Sequence, residues 1–113
     1  MSEWILKEQD YNGNLVYLRA DRWSLHIIVK HPEMAPFVKA IQEVVRAPNV
    51  VTEDSGGSVH LARLGAVKGK WKELYLEVVI RYNSSGDRTT GDIQTVYFNA
   101  MPPKGELKWY GKS

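Results

Sequence analysis

The chain has no cysteine, which excludes disulfide scaffolds, thiolate nucleophiles, iron–sulfur clusters and cysteine-ligated zinc, and agrees with a reducing compartment. Long apolar runs are missing as well: nothing approaches the ~20 residues that span a bilayer. The opening residues, Met1-Ser2-Glu3-Trp4-Ile5-Leu6-Lys7-Glu8, lack a basic leader followed by an apolar stretch, so a cytoplasmic protein with no membrane partner is expected. An excess of charge of one sign is also absent. Fifteen basic against thirteen acidic residues leave a net charge of +2, which permits a nucleic-acid partner without arguing for one. No Gly-x-Ser-x-Gly elbow, Walker loop or dinucleotide glycine fingerprint occurs, which removes acyl transfer and nucleotide hydrolysis. Asp54-Ser55-Gly56-Gly57-Ser58 has the composition of a hairpin turn rather than of a phosphate cradle.

What is present is a chain of 113 residues, the length of a single domain with one core. Trp4 to Gln9 and Leu15 to Arg19 flank Asn12-Gly13, the dipeptide favoured in a type I′ turn, and are expected to pair as a hairpin. Trp23 to Val29 alternates and is expected to be a strand, with Leu25, Ile27 and Val29 in the core and His26 on the opposite face. The period then lengthens. Met34, Phe37, Val38, Ile41, Val44 and Val45 recur every three or four residues and predict one amphipathic helix, opened by Pro32 and Glu33 and stopped at Ala47-Pro48. Val50-Val51, Ser58 to Leu64, Trp71 to Tyr82 and Asp92 to Phe98 are predicted strands, with a short one through Leu107 to Tyr110 on an edge. Leu76, Val78 and Ile80 alternate with Tyr75, Glu77, Val79 and Arg81, the pattern of a sheet covered on one side only. The expected architecture is α+β, one main helix on a four- to six-stranded antiparallel sheet, and the bare face is where a site would lie.

Of the three histidines, His26 and His31 stand closest together, and imidazole alone exchanges protons near neutral pH without prior perturbation. A ladder position for His26 and a helix-capping one for His31 are the structural alternatives. His26, His31 and Glu33 are zinc-ligand types, but their spacing does not gather them on one helix face, and no metal or cofactor is expected. Arg63, Lys68, Lys70, Lys72, Arg81 and Arg88 interleave with Trp71, Tyr75 and Tyr82 in the C-terminal half. Cations for phosphate beside rings for bases are the ingredients of single-stranded RNA binding; Glu73 and Glu77 in the same stretch suit an ordinary solvated face equally well.

His26-Ile27-Ile28-Val29-Lys30-His31-Pro32-Glu33-Met34, then Arg46-Ala47-Pro48-Asn49-Val50-Val51, Leu76-Glu77-Val78-Val79-Ile80-Arg81 and Ile93-Gln94-Thr95-Val96-Tyr97 follow in an order that resembles the small phage-associated barnase-EndoU-colicin-RelE-like nucleases. The resemblance spans about residues 23–98 and leaves the hairpin of residues 1–22 outside. It implies a helix packed on a four- or five-stranded antiparallel sheet and a metal-independent ribonuclease. The matching positions are His26, His31, Glu33, Arg81, Thr95 and Tyr97, with Arg63 a looser match; Val96 departs from the small residue more usual there. In the implied chemistry His26 or His31 is acid or base, Arg81 and Arg63 hold phosphate, Thr95 donates to it and Glu33 orients a histidine. Tyr97, Lys72 and Tyr75 complete the substrate-binding set. RNA is the expected partner, and a toxin-like protein of this size admits a protein inhibitor. The alternative is a non-catalytic RNA- or protein-binding module of the same fold.

Overall fold

A computed structural model describes residues 3–111. In chain order it contains β1 (Trp4–Gln9), β2 (Leu15–Arg19), a helical run made of α1 (Ala20–Arg22), a π turn (Trp23–Ile27) and α2 (Ile28–Lys30), a 3-10 stretch (Pro32–Phe37) and α3 (Val38–Arg46). There follow β3 (Val50–Glu53), β4 (Val59–Leu64), a 3-10 turn (Gly69–Trp71), β5 (Tyr75–Ser85), β6 (Arg88–Asn99) and β7 (Glu106–Tyr110). The strands form one sheet of seven in the order β1-β2-β6-β5-β4-β3-β7. No helix among the described residues is long and apolar enough to cross a membrane.

This architecture corrects the expected one in three respects. The sheet has seven strands rather than four to six, and it is mixed, because β2 runs parallel to β6 through Leu15↔Thr90, Val16↔Gly91 and Tyr17↔Asp92. The N-terminal hairpin is therefore part of the same sheet as the rest. Second, Trp23 to Val29 is helical, not extended. A short apolar run does not reveal its period: Ile27 is buried, Trp23 and Ile28 pack beside it, and Leu25 and Val29 stand 66% and 69% exposed. Positions 23, 27 and 28 share a helical face; the strand reading needed 25, 27 and 29 together.

Third, the single long helix is broken in two. Pro36 has no N–H to donate, and the segment Pro32–Phe37 winds as a 3-10 helix before α3 begins at Val38. The apolar stripe survives the break. Met34, Ile41, Val44 and Val45 are fully buried, and Phe37 and Val38 pack at its margin. Burying those four side chains contributes on the order of 10 kcal/mol before entropy is subtracted. Gln42 donates to Glu8 at 2.7 Å, tying α3 to β1. Ala47 ends the helix, and its carbonyl accepts from the Arg63 guanidinium at 2.8 Å.

The first turn also differs from its expected type. Only Gly13 has positive φ, whereas type I′ requires two such residues. Asp10 organises the turn instead: its Oδ1 accepts from the N–H of Asn12 and Asn14 at 2.8 and 2.9 Å, and its Oδ2 accepts from the Tyr82 hydroxyl at 2.5 Å. Burial and this carboxylate push the Tyr82 phenol far above its ordinary range. Beside Tyr82, Gly91 is required by space, since a Cβ there would lie 2.7 Å from Ile80 Cγ2. The two faces of the sheet follow the expected alternation. Leu76, Val78, Ile80, Ile93, Val96 and Leu61 meet the helices, leaving Tyr75, Glu77, Val79 and Arg81 on the other side with His60, Thr95, Tyr97 and Asn99.

Candidate functional site

The bare face carries a polar cluster centred on His60. Register pairs His60 with Val79 and Tyr97 with Glu77, so His60 and Glu77 are diagonal neighbours across β4 and β5, and Tyr97 reaches Glu77 from β6. His60 Nδ1 lies 2.6 Å from Glu77 Oε2, and its Nε2 lies 2.8 Å from Asp54 Oδ2. The Tyr97 hydroxyl donates to Glu77 Oε2 at 2.7 Å, and Asn99 Nδ2 to Oε1 at 3.2 Å. Asp54 is set by the β3–β4 turn, where its Oδ1 accepts from the N–H of Gly56 and Ser58. A groove of about 420 Å³ opens here, lined also by Met101, Pro102 and Lys104.

The two carboxylates stand in different surroundings. The Glu77 side chain is 2% exposed and Asp54 39%, with the imidazole between them at 14%. Burial opposes a charged ring, but the hydrogen bonds and charges of Asp54 and Glu77 outweigh it and raise His60 above its ordinary 6.5. The bond from His60, helped by the Ser58 and Gly56 amides, holds Asp54 below the usual carboxylate range. Burial, then Glu77, pushes the Tyr97 phenol up. The carboxylates approach opposite nitrogens of one ring rather than a common point, and no group of three such side chains among the described residues is arranged to hold an ion.

A pH dependence follows. Because the folded His60 pKa exceeds the unfolded one, its stabilisation is complete below about pH 6.5 and disappears as pH rises through the folded value. Asp54 acts oppositely: its contribution holds above about pH 3.9 and disappears as pH falls through the lowered folded pKa. Thermal melts from about pH 6 to about pH 9 should show a falling midpoint, with the His60-dependent part of the fall abolished in His60→Ala. An equal fall in that variant would refute the assignment.

The residues singled out in the sequence are distributed as follows. Tyr97 is in the cluster itself. His31 reaches it from the edge of the sheet, with its ring 5.8 Å from that of Tyr97 and its Nδ1 3.6 Å from Glu33 Oε2. Arg81 is exposed on the bare face and donates to Ser58 Oγ at 3.2 Å. Thr95 pairs with Val79 and faces the same way, and Tyr75 begins β5 opposite Asn99. Arg63 is on the helix side, at the end of α3. Lys72 is exposed just beyond the 3-10 turn Gly69–Trp71. His26 is exposed on the π turn, so the sheet-face alignment expected of His26 and Arg81 does not arise.

His60, Asp54, Glu77 and Asn99 are the members that sequence reasoning missed. A signal existed for two of them. Glu77 interrupts the apolar run Leu76 to Ile80, and His60 alternates with Val59 and Leu61, which assigns both to the bare face. No known protein family, curated protein or solved structure matches this chain.

Proposed function

We propose that this chain is a metal-independent ribonuclease whose centre is the bare-face cluster of His60, with His31 as its second imidazole. The observation that carries the reading is the chain of contacts from His31 through Tyr97 and Glu77 to His60, which sets two proton carriers on either side of one patch. The resemblance to the barnase-EndoU-colicin-RelE-like nucleases supports it, since His31, Glu33, Arg81, Thr95 and Tyr97 are among the matching positions. His31, oriented by Glu33, takes the proton of a ribose 2′-hydroxyl. The 2′-oxygen attacks the adjacent phosphorus, the bond from phosphorus to the 5′-oxygen breaks, and imidazolium His60 gives that oxygen a proton from Nε2. The products are a 2′,3′-cyclic phosphate and a 5′-hydroxyl. Glu77 holds the His60 ring by Nδ1, and the phosphate displaces the exposed Asp54 from Nε2. Arg81, Thr95 and Lys104 face the charge that builds on the non-bridging oxygens.

Occupation of both His60 nitrogens by carboxylates favours one other reading, a non-catalytic RNA-binding module in which the imidazole pins the β3–β4 turn to the sheet. Labelled single-stranded RNA incubated with the protein in EDTA separates the two. Cyclic-phosphate ends that disappear in His31→Ala and in His60→Asn support the nuclease. Binding without turnover supports the module, and cleavage abolished by EDTA overturns the metal-independent mechanism.

A further inference from the structure

The bare face continues beyond the His60 cluster onto the N-terminal hairpin, which lies outside the residues that carry the family resemblance. Along β1 the register slips between Trp4 and Leu6, where Ile5 forms a bulge. Without that extra residue Trp4 would share the core side with Leu6. With it, Trp4 stands opposite Arg19 and packs edge-on against Tyr17, ring centroids 5.5 Å apart. Bulges re-aim side chains in this way. Tyr17 belongs to the bare side because its neighbours Val16 and Leu18 are fully buried on the other. In this edge-on pair each ring keeps part of its surface open to solvent, and Trp4 is 40% exposed.

Cations surround these rings. Lys7 Nζ lies 5.9 Å from the centroid of each, and Arg19 faces Trp4 across the hairpin. Cross-strand pairing also aligns Lys7, Tyr17, Asp92 and Arg81 in one row across β1, β2, β6 and β5. Tyr17 and Arg81 are thus two strand spacings apart, about 10 Å. In that row Lys7 and Arg81 flank the carboxylate of Asp92, and Arg19 lines a shallow groove together with Glu3 and Asp21. Cations next to rings on an uncovered sheet suit the phosphates and unstacked bases of a single strand.

We infer that Trp4 and Tyr17 form a stacking platform for single-stranded RNA, with Lys7 and Arg19 on its phosphates and Arg81 linking it to the His60 groove. The inference rests on the ribonuclease reading for its substrate class. Its test needs no cleavage: a labelled single-stranded 2′-O-methyl oligoribonucleotide, whose capped hydroxyl cannot attack, is titrated against wild type, Trp4→Leu and Trp4→Phe by fluorescence anisotropy. All three proteins are compared below their melting temperatures. Trp4→Leu should weaken binding on the order of 10-fold, the loss of one stacked base, and Trp4→Phe, which keeps a ring face, should restore most of it. Equal affinity of wild type and Trp4→Leu, or equal weakening by leucine and phenylalanine, overturns the platform. Wild-type binding that is lost in Trp4→Leu, alongside failure to cleave any unmodified RNA, leaves the platform standing and removes the nuclease. No binding by wild type overturns the platform whatever the cleavage assay gives.

Discussion

His60→Ala should lower RNA cleavage per folded molecule ~10²- to 10⁴-fold, the usual contribution of a side chain that transfers a proton in the transition state. Truncation also strands Glu77, buried at 2% exposure, without its charged partner. Stability measured by chemical denaturation should therefore fall together with the rate. His60→Asn separates the two effects. Its side-chain amide can still donate toward Glu77 where Nδ1 stood, yet it carries no proton that titrates near neutrality. The asparagine variant should recover much of the stability and none of the rate. Recovery of both would show that the imidazole holds strands together and does not move protons in the reaction.

The largest loss of stability is expected from Glu77→Ala. His60, Tyr97 and Asn99 all share this carboxylate, and its removal leaves an imidazole held by Asp54 alone and a half-buried phenol without its acceptor. Removing one partner of a buried ion pair costs about 3 to 5 kcal/mol, and urea denaturation should register a shift of that order. Glu77→Gln should cost less, because an amide oxygen still accepts from Tyr97. It should also lower the His60 pKa, which NMR titration of the ring would detect. Asp54→Asn, at an exposed turn, should change stability far less than either. Similar losses at both carboxylates would contradict the difference in burial on which this ranking rests.

The strands were largely legible in the sequence and the helices were not, for identifiable reasons. Leu76, Val78 and Ile80 alternate with polar or smaller neighbours over a long strand, so face and core followed from period alone. Trp23 to Val29 is short and rich in branched apolar residues, which suit a strand locally; only packing of Trp23, Ile27 and Ile28 against the core selects the helix. The parallel union of β2 with β6 was out of reach, because no local pattern encodes which distant strand receives a hairpin. The candidate site divided in the same way. Arg81 was legible as a bare-face residue and Tyr97 only as a position of the resemblance, because the irregular register beside Val79 and Ile80 hides which face Thr95 and Tyr97 take. The meeting of His60, Asp54 and Glu77 depends on register across β4 and β5 and on a turn that closes back over the strand.

The parallel pairing of β2 with β6 also constrains how the chain is assembled. A hairpin completed by Arg19 must wait for residues 88–99 before its central strand has a second neighbour. Until β6 is available the Trp4–Arg19 ribbon has only the helical segment to pack on, through contacts such as Gln42 with Glu8, and a two-stranded ribbon is marginal in water. Closure of so distant a contact carries a loop-entropy cost that neighbouring strands avoid. Joining of β2 to β6 is thus a late event, and rearranging the gene so that the ribbon follows β6 should accelerate refolding without altering the finished sheet.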